Sequence, residues 1–551
     1  MGTQQVTVTF KNGDQIKVDK GLSLSNLSQF NNNILAAYLN GILCHLDQTI
    51  DSDCLIEWIE TTKEAGIRVY QRSLCLLLFT ALKELFPQRN VKIVYSASNS
   101  FYIESTNSKE SFSRSDIKAI IDKMRFYIIN DLPLKQIRMK KSDAIKEFTK
   151  RGHWDTRDLI KQLDQEEIIL YSCSNSVEFF YEPTSNRAGQ INQFEITPES
   201  KGFLLRFPEF KNGIFEIPPY QKENELIQAF IEEEEWAKSI ACSFISDLNN
   251  YILDQNFSDL VQKSEEKHSE QIKNIAISLC QQSNKRRVIC IAGPSSSGKT
   301  TFARRLQKEL KELGFSPLLI SIDDYFKDRD DSPRNPDGTH DFEHIEALEL
   351  DLFNRDLKAL LEGQTIEIPT FNFLEGKKEY LGEQLILENN GLIIMEGIHG
   401  LNERLTYDIP RNNKIKIYLS ALTQITLDNH NRISTSDSRL IRRIVRDYQF
   451  RGASAERTFG MWSSVREGEK KFIFPFQNDA DILFNSATIY ELSVLKKWII
   501  PLLQKVPFDS EFNSDAQRIL NLLSYFIEGD PEVVPEDSIL REFIGLEEFK
   551  F

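Results

Sequence analysis

Long apolar segments are missing from this sequence of 551 residues. No run approaches the ~20 consecutive apolar residues that a membrane-spanning helix needs, because the best candidate, residues 74–82, is followed at once by Lys83 and Glu84. The first ten residues, MGTQQVTVTF, lack both the charged and the apolar segment of a secretory signal. Val6 also stands where N-myristoylation requires Ser or Thr. These absences predict a cytoplasmic protein with no membrane partner.

Paired cysteines and excess positive charge are missing as well. The seven cysteines are odd in number and include no C-x-x-C pair, which is typical of reduced thiols in a cytoplasm. The formal net charge of −15 argues against polyanion binding by the whole molecule and leaves only a local basic patch open. The composition, 40% hydrophobic and 27% charged, is that of a globular protein. The length predicts three or four domains.

A phosphate-binding loop is the clearest motif. The β-branched run at residues 288–291 predicts a buried strand, residues 293–300 fit G-x-x-x-x-G-K-[ST], and apolar residues then recur at helical spacing. Strand, glycine-bounded loop and helix thus follow in the order in which exposed N–H groups can hold an anion. The competing interpretation is a Ser-rich turn before an ordinary helix. The predicted ATP-binding residues are Gly293, Ser295, Ser296, Ser297, Gly298, Lys299, Thr300 and Thr301.

Carboxylates follow two later strand patterns. From residue 284 strands and helices alternate, which predicts an α/β fold with a doubly wound parallel sheet and a ligand at the carboxyl ends of its strands. Asp323 follows the strand pattern at 318–322 and is the predicted acceptor of a proton from a substrate hydroxyl; helix capping is the alternative. Glu396 ends the pattern at 391–395, and with Thr300 it is the predicted Mg²⁺ site.

Five arginines in SRLIRRIVRDYQFRG form a third cluster. Arginine stabilises charge on a phosphoryl group during transfer. We expect Arg439 and Arg442 to form structural ion pairs. The predicted catalytic residues are Lys299, Asp323, Arg443, Arg446 and Arg451.

These motifs together resemble the uridine kinase/phosphoribulokinase family of P-loop kinases over residues 286–490. The family's D-x-F-Y element matches Asp323 with its two aromatics in swapped order, and its R-R-x-x-R-D lid matches residues 442–447. Its sugar-binding F-D-H-P-D segment aligns with residues 342–346, and its base-pocket I-P-x-Y-D-F with residues 368–373. The resemblance implies a nucleoside kinase that uses ATP and Mg²⁺. The implied substrate-binding residues are Tyr325, Phe326, Glu343, His344, Phe371 and Phe373.

The sequence departs from the family in the base pocket. Phe371 replaces the family's Tyr, and Gly376 takes the place of its His, so the hydrogen bonds that would reject a wrong base are lost. Glu343 replaces a shorter Asp in the sugar-binding segment. The nucleoside accepted is therefore open, and a non-nucleoside alcohol is conceivable. His430 stands in an unusually polar segment, where substrate contact and a structural role are both open.

The front half resembles parts of threonyl-tRNA synthetases. Residues 1–62, with TVTFKNGDQIKV and DCLIEWI, resemble the β-grasp TGS domain, and residues 63–220 resemble the α+β editing domain. The editing histidines are missing: Arg72 and Leu76 occupy the H-x-x-x-H positions. We therefore expect no editing chemistry. The remaining predicted segments are a helical linker (221–283), the kinase-like domain (284–490) and a C-terminal helical extension (491–551).

Two functions from different classes stay open. The first is an ATP-dependent kinase that phosphorylates the primary hydroxyl of a nucleoside or a similar small alcohol. The second is an RNA- or ribosome-associated nucleotide switch that docks through the TGS-like and editing-like half. Asp323 and the arginines favour the kinase, because a switch does not need them. RNA contact and homo-oligomerisation stay open.

Overall fold

The computed structural model describes residues 4–29, 31, 33–97, 99–211, 213–220, 224–283, 286–334, 338–372 and 375–545. The chain forms two compact units. Unit 1 contains Met1–Asn250, Ile425–Ile433 and Leu503–Ile527, and unit 2 contains Tyr251–Gln424, Ser434–Leu502 and Glu528–Phe551. None of the helices in these described ranges is long and apolar enough to cross a membrane.

The first part of the chain is rich in short strands. Its strands are β1 (Gln5–Phe10), β2 (Gln15–Asp19), β3 (Leu22–Ser23), β4 (Ala36–Leu39), β5 (Ile42–Cys44), β6 (Thr49–Ile50), β7 (Cys54–Ile59), β8 (Val91–Ala97), β9 (Ser100–Ser105), β10 (Leu134–Lys140), β11 (Glu167–Cys173), β12 (Ser176–Glu178), β13 (Glu195–Glu199), β14 (Gly202–Arg206), β15 (Glu209–Lys211) and β16 (Ile214–Glu216). Its helices are α1 (Leu24–Leu27), α2 (Glu64–Leu85), α3 (Arg114–Ile129), α4 (Lys141–Arg151), α5 (Trp154–Gln162), α6 (Asn224–Ser239) and α7 (Ile245–Leu253).

Three sheets organise unit 1. A five-stranded sheet has the order β2-β1-β7-β4-β5, in which only the β1–β7 pair is parallel. A four-stranded sheet has the order β13-β14-β9-β8, and a three-stranded sheet the order β10-β11-β12. Helix α2 is the centre of a hydrophobic core, since its residues 73–82 are all buried. The resemblance of this unit to TGS and editing domains stays a prediction.

The second part alternates strands with helices. Its strands are β17 (Val288–Ala292), β18 (Ser316–Ser321), β19 (Ile366–Asn372), β20 (Lys377–Leu385), β21 (Gly391–Glu396), β22 (Lys414–Ser420), β23 (Thr426–Asp428), β24 (Asn431–Arg432) and β25 (Ile482–Asn485). Its helices are α8 (Phe257–Gln282), α9 (Lys299–Glu312), α10 (Leu350–Leu361), α11 (Thr435–Arg451), α12 (Ala455–Phe472), α13 (Glu491–Gln504), α14 (Asn513–Leu523) and α15 (Arg541–Ile544).

A parallel sheet of five strands, in the order β18-β21-β17-β22-β25, forms the centre of unit 2. Strands β17, β21 and β22 are buried at every position. This burial explains the nearly continuous apolar runs of β17 and β21. Strand β22 differs, because its buried lysines, Lys414 and Lys416, alternate with isoleucines and both pair with Glu403. The predicted α/β fold with a parallel sheet is confirmed in this unit.

The sequence analysis predicted five consecutive segments, whereas the two units of the structure are each assembled from separate stretches of the chain. Residues 425–433 lie inside the predicted kinase-like stretch, yet the β23–β24 hairpin belongs to unit 1. Hydrogen bonds of the hairpin explain this. The backbone N–H of Ile93 donates to the carbonyl of Asn429 (2.8 Å), and the side-chain Nδ2 of Asn431 donates to the carbonyl of Phe179 (2.9 Å). Residues 503–527 of the predicted C-terminal extension also return to unit 1. Such returns leave no local sequence signal.

Candidate active site

The phosphate loop connects β17 to α9 in a tight turn. Ser296 (φ 60°) and Gly298 (φ 80°) adopt the left-handed conformation, which costs glycine little. A side chain at Gly293 is excluded, because a Cβ atom there would lie 2.4 Å from the carbonyl oxygen of Leu419. The loop therefore leads the chain to Lys299 at the start of α9, where the N–H groups of the first turn have no acceptor within the helix and point toward a possible anion.

The predicted carboxylates meet this loop at one edge of the sheet. Strand β21 lies between β17 and β18, and Glu396 is paired in register with Ile291 on one side and Ser321 on the other. Asp323 follows β18 in a short 3₁₀ turn, Ile322–Tyr325. The hydroxyl of Thr300 donates to Oε1 of Glu396 (3.3 Å). The carboxyl ends of three adjacent parallel strands thus bring together the loop, Asp323 and Glu396.

The pKa shifts show that these groups share one electrostatic environment. Burial raises the pKa of Asp323, and the positive charges of Lys299, Arg451 and Arg446 oppose that rise. Burial and then the charge of Asp323 raise the pKa of Glu396 to about 7, whereas Lys299 lowers it. Burial likewise raises the pKa of Glu343 to about 7. The site is a desolvated cluster of carboxyl groups with Lys299 among them.

Three of the predicted arginines surround one acid on helix α11. Asp447 is buried, and its carboxylate lies 3.3 Å from Nε of Arg443, 2.9 Å from Nη2 of Arg446 and 3.6 Å from Nη1 of Arg451. Arg443 also donates from Nη1 to the hydroxyl of Ser295 in the phosphate loop (2.6 Å). One carboxylate therefore holds three guanidinium groups beside the loop and leaves their net charge positive.

The other two arginines of the cluster are structural. Arg439 forms a buried ion pair with Glu469, and Arg442 forms one with Glu491 (2.5 Å). Both side chains also donate to loop carbonyls, Arg439 to Ser295 and Arg442 to Ser296. They fix the backbone of the phosphate loop from behind, in agreement with the expectation that they form ion pairs.

Two acids at the loop were missed by the sequence analysis. Glu469 Oε1 accepts a hydrogen bond from the backbone N–H of Ser295 (3.1 Å). Glu542 Oε2 accepts from the backbone N–H of Thr301 (3.3 Å) and from its hydroxyl (3.1 Å). Neither acid belongs to a motif, and each reaches the loop from a part of the chain more than 170 residues away. No local signal could have identified them.

The expected substrate-binding residues do not all lie at the site. Tyr325 does not face the site: its ring packs edge-on against Phe353 (4.8 Å between centroids) and its hydroxyl donates to Asp356 (3.3 Å) in the core of the unit. The prediction that Tyr325 binds substrate is therefore wrong. Position 325 of the 3₁₀ turn faces the core, and the swapped order of the two aromatics places the tyrosine there. Phe326 instead lies against Phe371, with ring centroids 5.6 Å apart.

Glu343 and His344, which the resemblance assigns to a sugar-binding segment, lie close to helix α12. A Cβ atom at Gly468 would lie 2.5 Å from Cβ of Glu343, so the glycine makes room for this acid. His344 packs edge-on against Phe472 (5.0 Å between centroids), and its Nδ1 accepts a hydrogen bond from the backbone N–H of Glu346 (3.0 Å). The remaining expected residue, Phe373, lies outside the described residues.

Comparison with known proteins identifies this part of the chain. Residues 288–493 match the model of the Phosphoribulokinase / Uridine kinase family. A uridine kinase of Halobacterium salinarum is 31% identical over 197 residues, which are 35% of this chain and 78% of that protein. A uridine kinase of Ligilactobacillus salivarius is 32% identical over 201 residues, 36% of this chain and 85% of that protein.

Among solved structures, a possible uridine kinase from Bacillus stearothermophilus is 18% identical, and the similarity covers 39% of this chain and 100% of that one with a TM-score of 0.27. The family assignment rests on the sequence matches. Through residues 288–493, the chain belongs to the phosphoribulokinase/uridine kinase family and is a phosphotransferase.

Proposed function

We propose that the protein is an ATP-dependent kinase that transfers the γ-phosphate to the primary hydroxyl of a nucleoside or a similar small alcohol. The observation that carries this proposal is the meeting of the phosphate loop, Asp323 and Glu396 at the carboxyl ends of β17, β18 and β21. Family membership supports phosphotransfer, and the relatives named uridine kinases support a nucleoside as acceptor.

The charges suggest a role for each residue. The loop N–H groups and Lys299 bind the β- and γ-phosphates. Asp323 accepts the proton of the acceptor hydroxyl. As the hydroxyl oxygen forms a bond to the γ-phosphorus, the bond between that phosphorus and the bridging oxygen breaks, and ADP leaves with this oxygen. The three guanidinium groups held by Asp447, those of Arg443, Arg446 and Arg451, stabilise the charge on the phosphoryl group as it moves. Catalysis then depends on positioning and electrostatics.

A Mg²⁺ ion fits the residues proposed for it. The hydroxyl of Thr300 and the carboxylate of Glu396 are 3.3 Å apart, and both are oxygen ligands of the type that Mg²⁺ takes. The pKa of Glu396 is raised to about 7 by burial and by the charge of Asp323, so a cation at this point would relieve an unfavourable arrangement. When bound, Mg²⁺ neutralises part of the charge of the triphosphate.

The acceptor would lie next to Phe326, Glu343, His344 and Phe371. Phe326 and Phe371 together offer an apolar surface suited to a flat ring. The backbone N–H of Phe371 donates to Asp324 (3.2 Å), which fixes the start of this surface relative to Asp323. Because Phe371 and Gly376 lack the polar groups of the family's pyrimidine pocket, we propose a broader acceptor range than that of a uridine-selective enzyme.

The test is ATP consumption by the full-length protein with a panel of nucleosides, sugars and pantothenate-like alcohols. We expect at least one acceptor to stimulate turnover, and Asp323→Asn to lower kcat by on the order of 10²- to 10⁴-fold with nearly unchanged ATP binding. Asp331→Asn, an exposed acid in the following loop, is the matched control and should leave kcat unchanged. Full turnover by Asp323→Asn removes Asp323 from the role of base.

The competing hypothesis of an RNA-associated switch is tested in the same assay. If no acceptor stimulates ATP consumption and added RNA or ribosomes do, the kinase proposal is wrong. Arg72 and Leu76, which stand at the positions of the editing histidines, lie in helix α2 of unit 1. Arg72 forms an ion pair with Glu182. We propose an accessory role for this unit.

A further inference from the structure

A cluster of metal-ligand side chains lies in unit 1, outside the kinase site. One nitrogen each of His153 and His430 and one carboxylate oxygen of Glu178 all lie within 4.8 Å of one another. His153 directly precedes α5, Glu178 ends β12, and His430 lies in the turn between β23 and β24. Residues separated by up to 277 positions therefore converge on one point.

The contacts within the cluster leave little free space around the imidazole of His430. Nδ1 of His430 lies 2.9 Å from Oε2 of Glu178. Its ring is stacked on Phe79 (3.7 Å between centroids, 14° between planes) and meets the ring of His153 edge-on (5.3 Å, 89°). Ligand atoms around a tetrahedral Zn²⁺ at about 2.0–2.2 Å are roughly 3.3–3.6 Å apart, so small side-chain movements suffice to bring these three to that spacing.

The second oxygen of Glu178 is held by other groups. Oε1 accepts hydrogen bonds from Nη2 of Arg151 (2.7 Å) and from the hydroxyl of Ser176 (3.3 Å). Carboxylates that bind a metal through one oxygen are commonly oriented through the other in this way. Oε2 therefore stays directed at the histidines.

The hairpin that carries His430 is fastened in place by bonds that do not involve the three ligands. The backbone N–H of Asn429 donates to Asp155 (2.6 Å), and the hydroxyl of Thr156 donates to Asp428 (3.1 Å). Asn431 donates to the carbonyl of Phe179, the residue after Glu178. These contacts join the hairpin to the start of α5 and to the end of β12, so the three ligands are positioned before any ion binds.

We propose that His153, Glu178 and His430 bind one divalent metal ion of the Zn²⁺ class, which fastens residues 425–433 to the rest of unit 1. Two imidazoles and one carboxylate form a recognised ligand set for zinc, with the fourth position left to water. His153 is only half-buried, which leaves a route for the ion and for that water. The carboxylates of Asp155 and Asp428 add negative charge next to the site, where they accept hydrogen bonds from Asn429 and Thr156.

The same atoms could instead form a metal-free ion pair between a protonated His430 and Glu178, since that carboxylate raises the pKa of His430 against the effect of burial. Metal content separates the two explanations. The full-length protein is stripped with a chelator, reloaded with Zn²⁺ alone, passed over a desalting column and measured by elemental analysis. We expect about one Zn²⁺ per chain, and a characteristic visible spectrum of four-coordinate Co²⁺ when Co²⁺ replaces zinc.

The variants His153→Asn and His430→Asn should each weaken Zn²⁺ binding by at least about 10- to 100-fold in competition with a chromophoric chelator. His45→Asn is the matched control: His45 is a buried histidine of the same unit that bonds to the carbonyl of Ser185 (3.1 Å), and its loss should not change zinc content. If the variant that carries both His153→Asn and His430→Asn still retains zinc, for instance on free thiols, the proposal is wrong. If the variants do not fold, the wild-type Co²⁺ spectrum decides, and its absence overturns the proposal.

Discussion

The carboxylate of Glu542 occupies an anion position of the phosphate loop, where it accepts hydrogen bonds from the backbone N–H of Thr301 (3.3 Å) and from its hydroxyl (3.1 Å). Thr301 is the third residue of α9, so its N–H has no acceptor within the helix and lies at the positive end of the helix. Ile539 from the same segment packs against Gly298, since a Cβ atom there would lie 2.3 Å from Cγ2 of Ile539. The C-terminal segment and a bound nucleotide would therefore compete for these donors.

Removal of this negative charge should strengthen nucleotide binding. Glu542→Gln keeps the shape of the side chain and abolishes its repulsion of the phosphates, an effect of a few tenths to about 1 kcal/mol for a charge at a helix N-terminus. We expect the Kd for ATP, measured by titration calorimetry, to fall by about 2- to 5-fold. Glu536→Gln, an exposed acid in the same segment, is the control. Unchanged or weaker ATP binding by Glu542→Gln would show that the carboxylate does not oppose the nucleotide.

The central part of the site could be predicted because its signals are local. A continuous apolar run marks each buried parallel strand, and the residues that follow such strands share one edge of the sheet. This logic predicted that Asp323 and Glu396 lie beside the phosphate loop. In the structure Glu396 pairs with Ile291 and Ser321, and Asp323 lies in the turn directly after β18. Glu469 and Glu542 escaped prediction because their contacts depend on tertiary structure alone.

The fold, like the site, could be predicted only where its sequence signals are local. Strand and helix periodicity identified the parallel sheet of unit 2, but nothing in the local pattern of residues 425–433 indicates that the hairpin returns to unit 1. His430 was left open between a substrate contact and a structural role, and the structure places it beside Glu178. Tyr325 shows the opposite failure: a motif match assigned it to the substrate, whereas burial against Phe353 assigns it to the core.

Activity should depend on the ionisation of Glu396. Its pKa is raised to about 7, so this carboxyl group is protonated and neutral below that pH and ionised above it. Only the ionised form can hold Mg²⁺, and kcat/KM for ATP reports the free enzyme. We therefore expect kcat/KM to be fully developed above about pH 8 and to fall up to tenfold per pH unit below about pH 7. The groups that act on Glu396 are Asp323, Lys299, Glu542 and Thr300.

A second carboxyl group with the same pKa provides the control for this profile. Burial raises the pKa of Glu343 to about 7 as well, but this residue lies in the segment proposed to contact the acceptor. At saturating acceptor, Glu343→Gln should keep the acidic limb of kcat/KM for ATP, whereas Glu396→Gln should lose the limb together with most of the Mg²⁺ dependence. If the acidic limb disappears in Glu343→Gln and persists in Glu396→Gln, the limb reports Glu343, and the prediction for Glu396 is wrong.

Breaking the buried ion pair between Arg439 and Glu469 by removing one partner should strongly destabilise unit 2. Both side chains are almost completely buried, so Glu469→Gln leaves the guanidinium of Arg439 without a compensating charge. Removal of one partner from a buried pair costs about 3–5 kcal/mol. The control is Arg466→Ala, because Arg466 contacts the same carboxylate (2.9 Å) from a partly exposed position and should cost no more than about 1 kcal/mol.

Chemical denaturation followed by circular dichroism measures both variants, and the comparison separates a buried pair from an ordinary one. The double variant Arg439→Met/Glu469→Leu removes both charges, and because paired removal restores the balance it should recover most of the lost stability. It should also free the N–H of Ser295, which now donates to Glu469 (3.1 Å). If Glu469→Gln destabilises the protein no more than Arg466→Ala does, the prediction is wrong, and breaking the buried pair costs no more than losing the partly exposed contact.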